Sequence, residues 1–135
     1  MAANRFRRTR EDHALETAED YVEMVEALIR EFGEARPVDI AERLGVSPVT
    51  VSKTLQRLRR DGYLTKDPYR SVFLTPKGAA MAEESRKRHE VVYRFLLALG
   101  VPSDVAEEDA EGIEHHVSAE TLRAMGRFVQ TAKRR

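Results

Sequence analysis

The sequence predicts a mainly α-helical fold: an N-terminal winged helix-turn-helix, with a small β-hairpin as its wing, followed by an all-helical second domain. Three observations carry that expectation. Apolar residues recur at three- and four-residue spacing over most of the chain, the period of an amphipathic helix. The stretch RPVDIAERLGVSPVTVSKTLQRLRRDGYL holds two such runs joined through Gly45. Strand-favouring residues gather directly behind that pair, in YLTKDPYRSVFLTPKG.

Residues 1–13, MAANRFRRTREDH, show no periodicity and are expected to form a mobile arm, with the domain boundary drawn at 1–15. From Thr17 onward Tyr21, Met24, Val25, Leu28, Ile29 and Phe32 share a helical stripe and Gly33 supplies a stop, which places the first helix at about 16–32. Ile40, Ala41 and Leu44 give a short second helix; Gly45 can take the positive φ needed to leave it, and Val46 is expected to plug the corner. Ser47 then caps a third helix with Pro48 at its first position, where the missing N–H costs nothing. In that helix Val51, Leu55 and Leu58 face inward, while Thr50, Lys53, Gln56, Arg57 and Arg60 face solvent. Tyr63, Leu64, Val72, Phe73 and Leu74 make the hairpin around Asp67-Pro68, completing a domain over 16–75.

The second domain, 76–135, opens with the Thr75-Pro76 signal. A long helix follows to about Leu99, with Met81, His89, Val92, Phe95, Leu96 and Leu99 as inward candidates. Gly100-Val101-Pro102 interrupts it. Ser103 is expected to cap the next helix and Ser118 the last, which carries Leu122, Met125, Phe128 and Val129.

At 135 residues and 41% hydrophobic, the chain can build one moderate core or two small ones. No apolar run reaches the length of a bilayer span and the Arg-rich start lacks an apolar signal segment, so a cytoplasmic protein without a membrane partner is expected. The absence of Cys excludes disulfides and thiolate metal sites. The 23 basic and 23 acidic residues cancel but are segregated along the chain. Residues 11–35 carry nine acids against one Arg, a balance of −8, whereas 36–78 carry nine bases against four acids, a balance of +5. The basic segment is the one that holds the helix-turn-helix, and 102–120 holds seven acids and no Lys or Arg.

A basic helix-turn-helix with a wing points to double-stranded DNA, because the major groove admits an α-helix and displays a distinct donor and acceptor pattern for each base pair. Ser47, Pro48, Thr50, Lys53 and Arg57 are the expected contacts of the third helix. Tyr69 and Arg70, at the wing tip, are expected to meet backbone or minor groove. One such unit reads one half-site, so a homodimer is expected, with the apolar positions of the long helix and the last helices as its candidate surface.

The acidic segments raise a second chemistry. In EGIEHH, residues 111–116, helical spacing turns Glu111, Glu114 and His115 to one face and Gly112, Ile113 and His116 away from it. Asp20 and Glu23 share a face of the first helix, and His89 lies in the long one. Each alone reads more simply as solvated charge or, for His89, as a hydrogen-bonded boundary histidine. In order along the chain, however, AEDYVE, DIAERLGVSPVTVSKTLQRL, FLTPKG, SRKRHE and DAEGIEHHVS resemble the manganese-responsive branch of the diphtheria-toxin-repressor family, from about Ala18 to Phe128.

That resemblance implies a homodimeric, metal-activated repressor of operator DNA, with Asp20, Glu23, His89, Glu111, Glu114 and His115 as ligands and manganese uptake as the controlled process. The resemblance also implies that iron-responsive relatives carry Met and Cys where this chain has Asp20 and Glu111. It further implies that the SH3-like domain of some relatives is not expected. It gives no role to the Arg-rich arm. Four carboxylates and two imidazoles without sulfur make a hard donor set suited to Mn²⁺, with Fe²⁺ a second candidate. Two other readings are open at this stage: a winged-helix regulator that does not respond to metal, and a di-metal enzyme. The enzyme would need Glu-x-x-His on two helices of a ferritin-like bundle, and no such motif occurs.

Overall fold

The computed structural model describes residues 2–65 and 71–133, with side chains from residue 13 onward. Helices follow in the order α1 (Ala2–Phe32), α2 (Pro37–Leu44), α3 (Pro48–Arg60), α4 (Pro76–Ala98), α5 (Ser103–Ile113) and α6 (Ala119–Lys133). They belong to two compact units: Ala14–Glu83, and Met1–His13 together with Glu84–Arg135.

The Ala14–Glu83 unit is built around one apolar core. Tyr21, Val25 and Leu28 of α1, Ile40 and Ala41 of α2, Val51, Leu55 and Leu58 of α3, and Leu64 and Val72 behind them are all buried. Each fully buried aliphatic side chain contributes roughly 1.5–3 kcal/mol, which is what holds the short α2 against α3. Gly45, at φ +69°, ends α2 in the left-handed conformation. There the N–H of Val46 reaches the carbonyl of Ala41 at 3.1 Å, satisfying a helix-end acceptor. Ser47 then caps α3: its Oγ accepts the Thr50 N–H at 3.1 Å and donates to Thr50 Oγ1 at 2.9 Å.

α4 starts by pressing its first turn onto the chain that leaves α3. Thr75 Oγ1 accepts the Gly78 N–H at 3.1 Å, and Lys77 donates to the Asp61 carbonyl at 2.8 Å. Gly78 is required here, since a Cβ at that position would lie 2.1 Å from the Tyr63 carbonyl oxygen. Glu34, between α1 and α2, accepts from Ser71 Oγ at 2.8 Å, and the Val72 N–H donates to the Ala35 carbonyl at 2.7 Å. The Ser71 hydroxyl, and after it Arg36, hold the Glu34 carboxyl below its ordinary pKa.

Several expectations are corrected. α1 starts at Ala2, so its helix covers the segment read as an arm; no Gly or Pro lies between Ala2 and Thr17 to break it, and the absence of an apolar stripe did not stop it. Among the described residues no strand forms. The expected hairpin is one antiparallel bridge, Leu64 with Leu74, flanked by Thr65 N–H to the Phe73 carbonyl at 2.9 Å and Thr75 N–H to the Tyr63 carbonyl at 3.1 Å. The turn at Asp67-Pro68, with Tyr69 and Arg70, lies outside the described residues. Val46 is 37% exposed and does not plug the corner. Phe32, 59% exposed, falls outside the core because the stripe drifts past it at the helix end, and Arg43 covers its ring instead.

In the other unit, Val92, Ala106, Ala110 and Val129 are buried, and the Phe95 and Phe128 rings meet edge to face at 5.4 Å. Ser118 caps α6 as Ser47 caps α3, accepting the Thr121 N–H at 3.1 Å. Ser103 does not cap α5: it is the first helical residue, behind Pro102. Leu99, expected inward, is 56% exposed because it lies past the last turn of α4.

Candidate metal centre and nucleic-acid interface

The metal-centre residues of the second unit come together where α5 ends against α4. α5 stops inside the EGIEHH motif, at Ile113, but Glu114 keeps helical dihedrals of φ −57° and ψ −28°. The spacing that turns Glu111 and Glu114 to one side therefore survives the helix end. Across from them stands His89 of α4. Its Nδ1 lies 2.9 Å from Glu114 Oε2 and 3.4 Å from Glu111 Oε1. His115 follows, with Nε2 3.4 Å from Glu114 Oε1. Gly112, Ile113 and His116 face the other way, lining an open pocket of about 470 Å³ with Glu108, Asp109 and Val117.

Burial gives this cluster its chemistry. The Glu114 side chain is fully buried and that of His115 nearly so, whereas Glu111 stays about half exposed. A buried carboxylate is costly in its charged form unless opposite charge meets it. Burial alone pulls the His89 pKa down, and it is the largest single influence. The carboxylates of Glu114, Glu111 and Glu107, with the Glu107 hydrogen bond, outweigh it together and leave the imidazole pKa above its ordinary value.

The donors fit a divalent cation. His89, Glu111 and Glu114 each offer one ligand atom within 4.8 Å of the others. His89 Nδ1 is buried and makes no hydrogen bond to any described residue, although Glu114 Oε2 is 2.9 Å away. Two donors at that separation match an octahedron edge, about 3 Å for metal–ligand bonds of about 2.1 Å. The set contains oxygen and imidazole nitrogen but no sulfur, which favours a hard ion.

Asp20 and Glu23 lie on α1 in the other unit, one turn apart and half-buried. Sequence reasoning missed Glu107, whose Oε1 stands 2.9 Å from His89 Nε2. The signal was present: 107, 111 and 114 are spaced i, i+4, i+7, so one face of α5 carries all three acids.

The second candidate surface is α3. Ser47, Pro48, Thr50 and Lys53 are exposed and Arg57 is half-exposed, while Val51, Leu55 and Leu58 hold the helix down from beneath. Ser47 and Thr50 are bonded to each other, so their hydroxyls are ordered at the helix N-terminus. Val49, 63% exposed, adds an apolar contact at the same end that the sequence reading did not single out.

Two family models match the chain. Residues 13–72 match the family model described as the iron dependent repressor N-terminal DNA binding domain. Residues 75–135 match the iron dependent repressor metal binding and dimerisation domain. The transcriptional regulator MntR of Salmonella typhimurium is 55% identical over 125 residues, covering 93% of this chain and 80% of that protein. The HTH-type transcriptional regulator MntR of Bacillus pumilus is 44% identical over 112 residues, covering 83% of this chain and 78% of that protein.

Among solved structures, the manganese regulator SloR superposes with a TM-score of 0.72 at 28% identity, over 84% of this chain and 53% of that one. A manganese-dependent transcriptional repressor in complex with manganese gives 0.72 at 28% identity, over 84% and 52%. The chain thus spans about half the length of those two solved proteins.

Proposed function

We propose that this chain, which belongs to the iron-dependent repressor family, is a cytoplasmic repressor activated by Mn²⁺ that binds operator DNA as a homodimer and controls manganese uptake, with Fe²⁺ as a second activating ion. The family is one of transcriptional regulators and not of enzymes. Among the described residues no helix is long and apolar enough to cross a membrane. The observation that carries the reading is the buried Nδ1 of His89 facing the carboxylates of Glu111 and Glu114 without a hydrogen bond to any described residue.

The proposed ligands are Asp20, Glu23, His89, Glu111, Glu114 and His115. Bound Mn²⁺ would add positive charge to this acid-rich set. Without it the carboxylates would repel one another. Asp20 and Glu23 belong to α1, whose Tyr21, Val25 and Leu28 also enter the core under α2 and α3. Ion occupancy and DNA affinity would therefore be coupled. Such coupling is typically about 1–3 kcal/mol, several-fold to a hundred-fold in affinity, and acts equally in both directions. Zn²⁺ competes by intrinsic affinity but prefers four ligands in a tetrahedron, so selectivity rests on the arrangement reached rather than on binding alone.

On the DNA side, α3 would enter the major groove. Thr50 and Ser47 stand at its N-terminus, Lys53 and Arg57 are spaced to reach guanine edges or phosphates, and Pro48 sets the entry turn. Tyr69 and Arg70 are the proposed backbone contacts of a wing whose stem is the Leu64 and Leu74 bridge. Exposed Leu97, Leu99 and Phe128 support a self-association surface in the second unit.

The test is titration of labelled promoter DNA from a manganese-uptake gene with the protein in Mn²⁺, in Zn²⁺ and in EDTA, repeated with His89→Ala. Tight binding in Mn²⁺ alone, lost in the variant, is expected. Equal binding in Mn²⁺ and EDTA would refute the reading.

A further inference from the structure

Resting on that assignment of the metal centre, we propose that Glu107 is a positioning residue. Its carboxylate accepts the Nε2–H of His89 and holds the imidazole in the tautomer and orientation that turn the Nδ1 lone pair toward Glu111 and Glu114. A neutral imidazole has one N–H and one lone pair, and the partner of one nitrogen decides what the other can do. Glu107 Oε1 lies 2.9 Å from Nε2. On the opposite side of the ring, Nδ1 lies 2.9 Å from Glu114 and 3.4 Å from Glu111, buried and without a hydrogen bond to any described residue.

The two ring nitrogens diverge, so a carboxylate seated on Nε2 lies outside the coordination sphere of an ion held by Nδ1. Tyr93, one turn further along α4, stacks on the same ring with an interplanar angle of 8° at 6.2 Å, which leaves rotation out of this plane disfavoured. Glu107 is itself on α5, on the face of Glu111 and Glu114, so one rigid helix carries both the carboxylates that face Nδ1 and the one that fixes Nε2. A carboxylate on the second nitrogen also makes the imidazole a stronger donor, and loss of such a partner typically lowers metal affinity about 10–100-fold. The Glu107 side chain is 58% exposed, so its replacement removes little packing.

The experiment uses the full chain. Tautomer is read in the metal-free protein from ¹⁵N shifts of labelled histidine above the imidazole titration, with His89→Ala giving the assignment. Mn²⁺ affinity is read from the electron paramagnetic resonance of the free ion. Glu107→Gln keeps an acceptor and is expected to retain the Nε2–H tautomer and affinity within a few-fold of the parent. Glu107→Ala is expected to populate both tautomers and to bind Mn²⁺ about 10–100-fold more weakly. Glu108→Ala removes a neighbouring charge from α5 and is expected to change neither.

Parent-like tautomer and affinity in Glu107→Ala would overturn the proposal. So would equal losses in Glu107→Gln and Glu107→Ala, which would make Glu107 a ligand, or an equal loss in Glu108→Ala, which would make the effect bulk charge. If His89→Ala itself leaves Mn²⁺ affinity unchanged, the metal assignment fails. If His89→Ala abolishes binding and Glu107→Ala does not, only the positioning role fails.

Discussion

The turn between α2 and α3 and the end of α5 are both short helix-to-loop junctions, and they are stabilised in opposite ways. At the first, Ile40, Val51, Leu55 and Leu58 are buried beneath and the polar groups of Ser47, Thr50 and Lys53 stay at the surface. At the second, the titratable groups themselves are inside: Glu114 and His115 are buried and His89 is partly buried. Apolar burial needs nothing from outside the chain, whereas a buried acid cluster is stable only with a compensating charge. The proposed DNA-reading surface is thus carried on an apolar core, and the proposed metal site on buried titratable groups.

The largest effect that tests this contrast is in the apolar core. Leu58→Ala is expected to lower unfolding free energy by about 2–5 kcal/mol, to the same extent with and without Mn²⁺, in urea melts. A metal-dependent loss would break the comparison. Next, Glu114→Gln replaces a buried carboxyl group with an amide. The parent gains about 2.7 kcal/mol at a hundred-fold excess of Mn²⁺ over its dissociation constant, and the variant is expected to gain none while remaining at least as stable without metal. Thermal melts across a Mn²⁺ series measure both.

Smaller effects sharpen the contrast. Gly78→Ala forces a methyl group against the Tyr63 carbonyl and is expected to cost about 1–3 kcal/mol, read by the same melts. The pH response near neutrality is traced to His89 of the acid cluster. Because the His89 pKa is raised, its charged form stabilises the metal-free protein fully below the ordinary value near 6.5, and that stabilisation fades as pH rises through the raised value. A metal needs the neutral ring, so Mn²⁺ affinity should fall as pH drops through the raised value, by at most about 1.4 kcal/mol per pH unit for one proton. Calorimetric titrations at several pH values would show it. The smallest change is the cap: Ser47→Ala is expected to cost about 1 kcal/mol in stability, against a similar cost for Ser118→Ala.

The same contrast governs what could be read from sequence. The helix-turn-helix was legible because each signal is local: Gly45 leaves a helix, Ser47-Pro48 starts one, and Val51, Leu55 and Leu58 keep a strict period. Glu111 and Glu114 were legible as a pair by spacing. Glu107 shares that spacing, but its part depends on His89 of α4, a partner that spacing along α5 does not reveal. The extent of α1 was misread for a different reason: an apolar stripe reports packing, and a segment can be helical on backbone propensity without one. Of the hairpin, the described residues form one antiparallel bridge, Leu64 with Leu74, and its turn at Asp67-Pro68 lies outside them.

The most direct test of the account is a crystal of this chain grown in Mn²⁺ and measured at the manganese absorption edge. An anomalous peak within bonding distance of His89 Nδ1, Glu111 and Glu114 is the predicted result. No peak there, or manganese bound elsewhere with those three side chains apart, would contradict it.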